Sequence, residues 1–197
     1  MRTERVIIVK PYASPIGVLL LGSFENRLCL CDWRTTAEHG RRIDERLQTR
    51  LSATYLEGTS EVIETAQSQL EEYFAGKRTA FQMPLLLSGS DFQQSVWKEL
   101  LQIPYGSTQT YKELACRIGK PTAVRAVANA NNANPLSVIV PCHRVIGSNR
   151  KLTGYGGGLE IKRQLLCLET GMNGLWKEAE NPRYVYEIIK ILKSSFD

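Results

Sequence analysis

Cys142, His143 and Arg144 stand side by side in the segment PCHRV, directly after the apolar run Val138-Ile139-Val140. A thiol in such a place can be a small hydrophobe, since free cysteine is among the most buried residue types. It becomes a nucleophile where something stabilises its thiolate. Two influences of that kind are present. His143, one of two histidines in the chain, is an adjacent base, and the local charge is positive. Residues 90–172 carry 10 Lys and Arg against 5 Asp and Glu, the whole of the formal net charge of +5. From Lys120 to Lys151 there are five basic residues and no acidic one. Such a field suits a polyanion such as nucleic acid, and equally a solvated basic face. Neighbouring side chains on an extended chain point to opposite sides, so a Cys142–His143 pairing requires a turn or a bridging water. The histidine, the basic surroundings and the end of an apolar run together favour a reactive thiol.

Two further groups could serve that chemistry. Thr153-Gly154-Tyr155-Gly156-Gly157-Gly158 is a glycine cluster with one aromatic. It is either a flexible loop or a place where backbone N–H groups approach a ligand closely, with Tyr155 as a stacking platform. Glu169 falls in the last turn of the helix that follows, where the helix dipole disfavours a carboxylate. That misplacement points to a partner, and an imidazole fits. No Cys-x-x-Cys pair accompanies the two histidines, so no metal site is expected. The cysteines number five, an odd and scattered set that gives no disulfide framework.

The elements that must position these groups are readable. Segments 4–11, 16–22 and 27–33, rich in Val, Ile and Leu with turns at Pro15 and Glu25-Asn26, predict a small antiparallel sheet. Ile43, Leu47 and Leu51 recur at helical spacing, as do Ile63, Ala66, Leu70 and Phe74 in a helix capped by Ser60 and stopped by Gly76. Cys29 and Cys31 share one strand face and are read as packing. Leu87-Ser88-Gly89-Ser90 marks a boundary. Beyond it, Ser90-x-x-Gln93 and Thr110-x-x-Glu113 are capping boxes. The second opens a helix that runs to Gly119, and a short helix near Ala123 to Ala130 follows. That is the layout of a helix-turn-helix, which many all-α proteins also contain without nucleic acid. Ala123, Ala126, Val127 and Ala130 form a smooth face suited to helix packing or to a narrow groove, with Arg125 beside it. Leu136 to Val140 reads as a buried strand ended by Pro141, and Leu159–Thr170 as a helix closed by Gly171.

SVIVPCHRVIG, preceded by AVRAVANANNANP and followed by LTGYGGGLEIKRQLLCLETG, resembles the O6-alkylguanine-DNA alkyltransferases, the methylated-DNA–protein-cysteine methyltransferases of DNA repair. The likeness runs from about Phe92 to Gly171 and includes YKELA; YFAGKR carries it more loosely into the first half. It implies an α+β fold: a ribonuclease H-like N-terminal domain (1–89) with a small antiparallel sheet and helices, and a mostly helical, winged-helix-like C-terminal domain (90–172) with the helix-turn-helix. Residues 173–197 form an extension, with Val185, Ile188, Ile189 and Leu192 as an amphipathic helical stripe. The resemblance further implies that Cys142 accepts the alkyl group, that His143 takes its proton through a water and that Glu169 orients His143. Asn134 would brace the active turn and Tyr111 neutralise the departing guanine. Arg125 would fill the gap left by a flipped nucleotide, with Ala123, Ala126 and Ser148 as further DNA-binding positions. Val145, Tyr155 and Gly156 would line the guanine pocket. Ala128-Asn129 departs from the Gly-Gly frequent in the family.

The expected partner is therefore double-stranded DNA containing O6-alkylguanine, met by a monomer without cofactor. A non-reactive lesion sensor is the alternative, and a cysteine hydrolase a third reading that the Cys-His adjacency argues against. The N-terminus lacks a signal peptide's apolar core and no stretch approaches a membrane span, so a cytoplasmic protein is expected.

Overall fold

Three apolar segments near the N-terminus meet as a meander: β1 (Val6–Ser14), β2 (Gly17–Phe24) and β3 (Arg27–Trp33) pair antiparallel in sequence. Glu25 and Asn26 both adopt positive φ, 50° and 55°, which gives the β2–β3 hairpin the turn hand that matches strand twist. The computed structural model describes residues 5–35 and 37–171. After α1 (Ala37–Leu51) the chain returns as β4 (Thr54–Glu57), which pairs parallel with β1, so the sheet is mixed, in the order β3-β2-β1-β4. The purely antiparallel expectation is thus corrected by one strand. β4 is short and mostly exposed, without the alternation that marks a strand in sequence. Ile43 and Leu47 of α1 pack with Ile7, Val9, Phe24, Cys29 and Leu30 in the core. Cys29 is fully buried, and burial first of all pushes its thiol up to about 12, which leaves it inert. α2 (Glu61–Phe74) is capped by Ser60, whose hydroxyl accepts from the Ile63 N–H.

The described residues divide into two compact units, one running to Gln94 and also taking in Pro135–Ile139, the other comprising Ser95–Asn134 and the chain from Val140. Within the first unit, the outer edge of β3 is covered rather than left open. Leu28 exchanges backbone bonds with Pro84 and Leu86, and the Cys31 N–H donates to Pro135 O at 2.8 Å. Ser137 Oγ adds a bond of 3.0 Å to the buried Asp32 carboxylate.

The second unit is mostly helical. α3 (Asp91–Leu100) opens with the Ser90/Gln93 capping box, both bonds of which form. β5 (Gln109–Thr110) leads directly into α4 (Tyr111–Arg117), where the Thr110/Glu113 box is complete. Gly119, at φ 70°, turns the chain toward α5 (Val124–Asn132). Trp97 Nε1–H donates to Ala130 O at 2.8 Å, tying α3 to the end of α5. β6 (Val145–Ile146) lies parallel to β5, and α6 (Leu159–Glu169) closes the unit. The extension 173–197, with its amphipathic stripe, lies outside the described residues.

Candidate active site

Leu136 to Val140 is not a strand. Only Leu136 makes a bridge, to Cys31; Ser137–Ile139 turn back, with the Ile139 N–H bonding Ser137 O at 2.9 Å and Val138 at φ 71°. A β-branched residue is rarely found in that region, and such strain collects at functional sites. The cause is local: Pro135 and Pro141 cannot donate to a ladder, so the segment satisfies its amides in tight turns. The Cys142 N–H does the same, bonding Val140 O at 2.7 Å. Cys142–Arg144 then form one 3-10 turn, which supplies the bend that the Cys-His pair requires.

Cys142 is 4% exposed. Its sulfur accepts a hydrogen bond from Asn134 Nδ2 at 3.2 Å, and the same amide donates to Val140 O at 2.9 Å. Asn134 follows α5 and so holds both ends of the bend that presents the thiol. Asn131, one turn earlier, donates to the Cys142 carbonyl at 3.4 Å. An amide N–H aimed at sulfur favours the thiolate over the thiol.

His143 is fully buried, and its Nε2 meets Glu169 Oε1 at 2.8 Å. With an ionised carboxylate as acceptor, Nε2 carries the proton and Nδ1 is left as the basic atom. Nδ1 is buried and has no hydrogen-bond partner among the described residues. Burial depresses the imidazole below its ordinary value, helped by the charges of Arg144 and Lys162 and opposed by Glu169, so His143 is neutral at pH 7. Glu169 collects four donors. Besides His143, Arg144 binds it with Nε and Nη2, each at 2.9 Å, and the Gly106 N–H reaches Oε2 at 3.1 Å. Burial alone would raise this carboxyl; His143 and then Arg144 outweigh it and hold it at about 2. These donors also offset its unfavourable place at the C-terminus of α6. Gly106 sits at φ 73°, and a Cβ there would come within 3.2 Å of Glu169 O, so the position favours glycine.

Tyr111 heads α4 because β5 precedes it, and β5 pairs with β6, the strand that begins at Val145. Its hydroxyl donates to Thr153 O at 3.3 Å and Gly154 O at 3.1 Å. Burial, reinforced by Cys142 and opposed by an Asn131 hydrogen bond, pushes the phenol up to about 12. It is a neutral donor at pH 7. Tyr155 is buried in the same loop, Gly156 half-buried beside it.

Cys142, His143, Glu169, Asn134, Tyr111, Val145 and Tyr155 are therefore buried together in this unit with Gly156 half-buried, and the residues named for DNA binding lie at its surface. Arg125 and Ala126 are exposed in the first turn of α5, with Ala123 half-buried at its N-cap. Ser148 is exposed on the turn after β6. The smooth helix face is corrected in part: Val127 and Ala130 are buried in the core, so Ala123 and Ala126 alone face outward beside Arg125. The basic run is also smaller than it reads, because Arg144 is only 6% exposed and neutralised by Glu169. Sequence reasoning missed two residues of the cluster, Arg144 as a structural clamp and the buried Lys162. Lys162 precedes Glu169 by seven residues, two helical turns, which places both on the inward face of α6. No group of three or more His, Cys, Asp and Glu among the described residues could hold a metal.

Comparison with known proteins bears on this cluster. Residues 91–171 match the family described as 6-O-methylguanine DNA methyltransferase, DNA binding domain, and residues 7–87 the ribonuclease-like domain of the same enzymes. A methylated-DNA–protein-cysteine methyltransferase of Methanosarcina barkeri is 49% identical over 79% of this chain and 92% of its own length. The chain belongs to the methylated-DNA–protein-cysteine methyltransferase family. Among solved methyltransferases of this kind, the Mycobacterium tuberculosis O6-methylguanine methyltransferase is 45% identical with a TM-score of 0.70, covering 84% of this chain and 93% of that one. The same organism's OGT, solved in complex with DNA, is 44% identical, again with a TM-score of 0.70, with 84% of this chain and 93% of that one covered. The methyltransferase fold expected from the motifs, a small sheet unit and a helical C-terminal unit, is the fold observed. No described helix is long and apolar enough to cross a membrane.

Proposed function

We propose that this chain repairs DNA by direct reversal, moving the alkyl group of O6-alkylguanine in duplex DNA onto its own Cys142. The observation that carries the reading is the Cys142 sulfur, buried, bonded by the Asn134 amide, in one cluster with a neutral His143 whose Nδ1 is unpartnered and whose Nε2 is fixed by Glu169. In the proposed step a bridging water carries the Cys142 proton to Nδ1. The thiolate then attacks the alkyl carbon; the S–C bond forms as the carbon–oxygen bond to guanine O6 breaks. Tyr111, a neutral phenol, hydrogen-bonds the departing guanine, which leaves with the electron pair and takes a proton from water, while the imidazolium returns its proton to solvent and regains its neutral form. Glu169 stabilises the imidazolium as it forms. The product thioether has no leaving group, so each chain acts once.

A stacked base is out of reach of a buried thiol, so the nucleotide must leave the helix. Arg125, exposed on α5 beside Ala123 and Ala126, is assigned to the gap it leaves, with Ser148 as a backbone contact. Val145, Tyr155 and Gly156 are assigned to the base pocket. On this reading residues 90–172 are the DNA-binding and acceptor domain of a monomer acting in the DNA's own compartment. A lesion sensor would need neither thiol nor relay, and the presence of both favours transfer.

The test is a pair of proteins, wild type and Cys142→Ser, offered duplex carrying labelled O6-methylguanine. Wild type should become labelled, while the serine variant binds the same duplex and acquires nothing. Label on the serine variant would refute the assignment.

A further inference from the structure

Lys162 has no place in the relay, yet it is the most unusual buried group of the cluster. Its side chain is 0% exposed, and it makes no ion pair among the described residues. All three of its N–H groups are used on carbonyls: Val145 O at 2.5 Å, Thr153 O at 2.7 Å and Gly154 O at 3.4 Å. Thr153 and Gly154 are the carbonyls that Tyr111 also binds, and Lys162 Nζ lies 6.0 Å from the Tyr111 ring centre. A buried ammonium without a counter-ion is costly, so a fold that keeps one must be using its charge or its three-way grip.

We propose that Lys162 is a positioning residue for alkyl transfer: it clamps the carbonyl behind the Cys-His-Arg turn to the glycine loop, and its charge is matched to the Cys142 thiolate. The clamp follows from the bonding pattern. Val145 closes the 3-10 turn, Thr153 and Gly154 open the glycine loop, and without Lys162 only Tyr111 would bind that loop's carbonyls from the inside. The charge match follows from what surrounds it. The titratable groups that act on Lys162 are Cys142 and His143 on the 3-10 turn, by their charge, and Tyr111 on α4, whose ring centre lies 6.0 Å away. His143 and Tyr111 are neutral at pH 7, so a Cys142 thiolate is the one anion available there. Burial lowers the amine to about 8, and the charge on Cys142 is what opposes that fall. Geometry links the two, since Val145, whose carbonyl Lys162 binds, donates its own N–H to Cys142 O; on this proposal Lys162 and Cys142 titrate as a coupled pair.

The inference rests on the alkyl-acceptor reading for its meaning, but its test does not require transfer. The Lys162 Cε resonance of the folded wild-type protein, followed against pH, should report an amine titrating near pH 8, and in Cys142→Ser the value should fall because the matching anion is gone. An amine titrating at the ordinary lysine value of about 10.4, or equally in both proteins, would overturn the charge match. Lys162→Met tests the other half. The apparent pKa of Cys142, read from its alkylation by iodoacetamide, should rise by about one unit, and transfer from free O6-benzylguanine should slow at least tenfold at pH 7. Lys162→Arg, which keeps the charge, should recover part of the loss. A Lys162→Met protein with wild-type thiol titration and rate would overturn the proposal. Should wild type react with iodoacetamide as described yet take no benzyl group, the functional reading falls while the Lys162–Cys142 pairing stands.

Discussion

Replacing Glu169 with glutamine removes one charge and nearly no volume from the most heavily bonded side chain of the site. The carboxylate serves His143 Nε2, both Arg144 nitrogens and the Gly106 N–H. A glutamine keeps one acceptor oxygen and turns the other atom into a donor that faces a donor. Arg144, 6% exposed, then loses its counter-charge. Breaking a buried ion pair costs about 3–5 kcal/mol. For a chain of this size that lowers Tm by about 6–20 °C. The chemical loss is separate, because the imidazolium that forms on proton uptake loses its anion; general-base assistance is worth about 10²–10⁴ in rate. The assay is single-turnover transfer from free O6-benzylguanine with thermal unfolding of the same sample. A lowered Tm with an undiminished rate would refute the relay and leave Glu169 a scaffold residue. No change in either would refute the network itself.

The same groups set an acid limit. His143 is held below its ordinary value, so its contribution is present above about pH 6.5 and lost as pH falls below it. Glu169 is also held low, and its share is present above pH 4.5 and lost as pH falls toward 2; urea midpoints should therefore drop in that order on acidification. Arg125→Ala, exposed and remote from the relay, should weaken repair of duplex at least tenfold more than reaction with free O6-benzylguanine; equal losses would remove Arg125 from flipping. Asn134→Ala deletes the donors to Cys142 Sγ and Val140 O. Val140 O keeps the Cys142 N–H, so the loss should be about 0.5–1.5 kcal/mol per hydrogen bond removed, with a raised apparent pKa of Cys142 in iodoacetamide titration; a thiol that titrates as in wild type would show that the amide has no electronic role.

How much of this could be read from the chain alone depends on whether a signal was local. Both capping boxes, the helix stops at Gly76 and Gly171 and the Glu25-Asn26 turn are written in consecutive residues, and each is found in place. β4 was not legible because its strand character comes from pairing with the distant β1, Val6 against Thr54. The turn at Ser137–Ile139 carries a strand's composition, and the prolines on either side decide against a ladder. Glu169's misplacement at a helix end was a usable clue to a buried partner. Arg144 and Lys162 looked like part of a basic surface, since charge in a sequence carries no depth. Only the fold reveals that both point inward, one to a carboxylate and one to three carbonyls.

The account's central claim is tested most directly by intact mass and peptide mapping after the protein meets an excess of duplex bearing a single O6-methylguanine. The account predicts one added methyl per chain, located on Cys142, with no further change however long the exposure. An unmodified Cys142, or a methyl count that keeps growing, would contradict it.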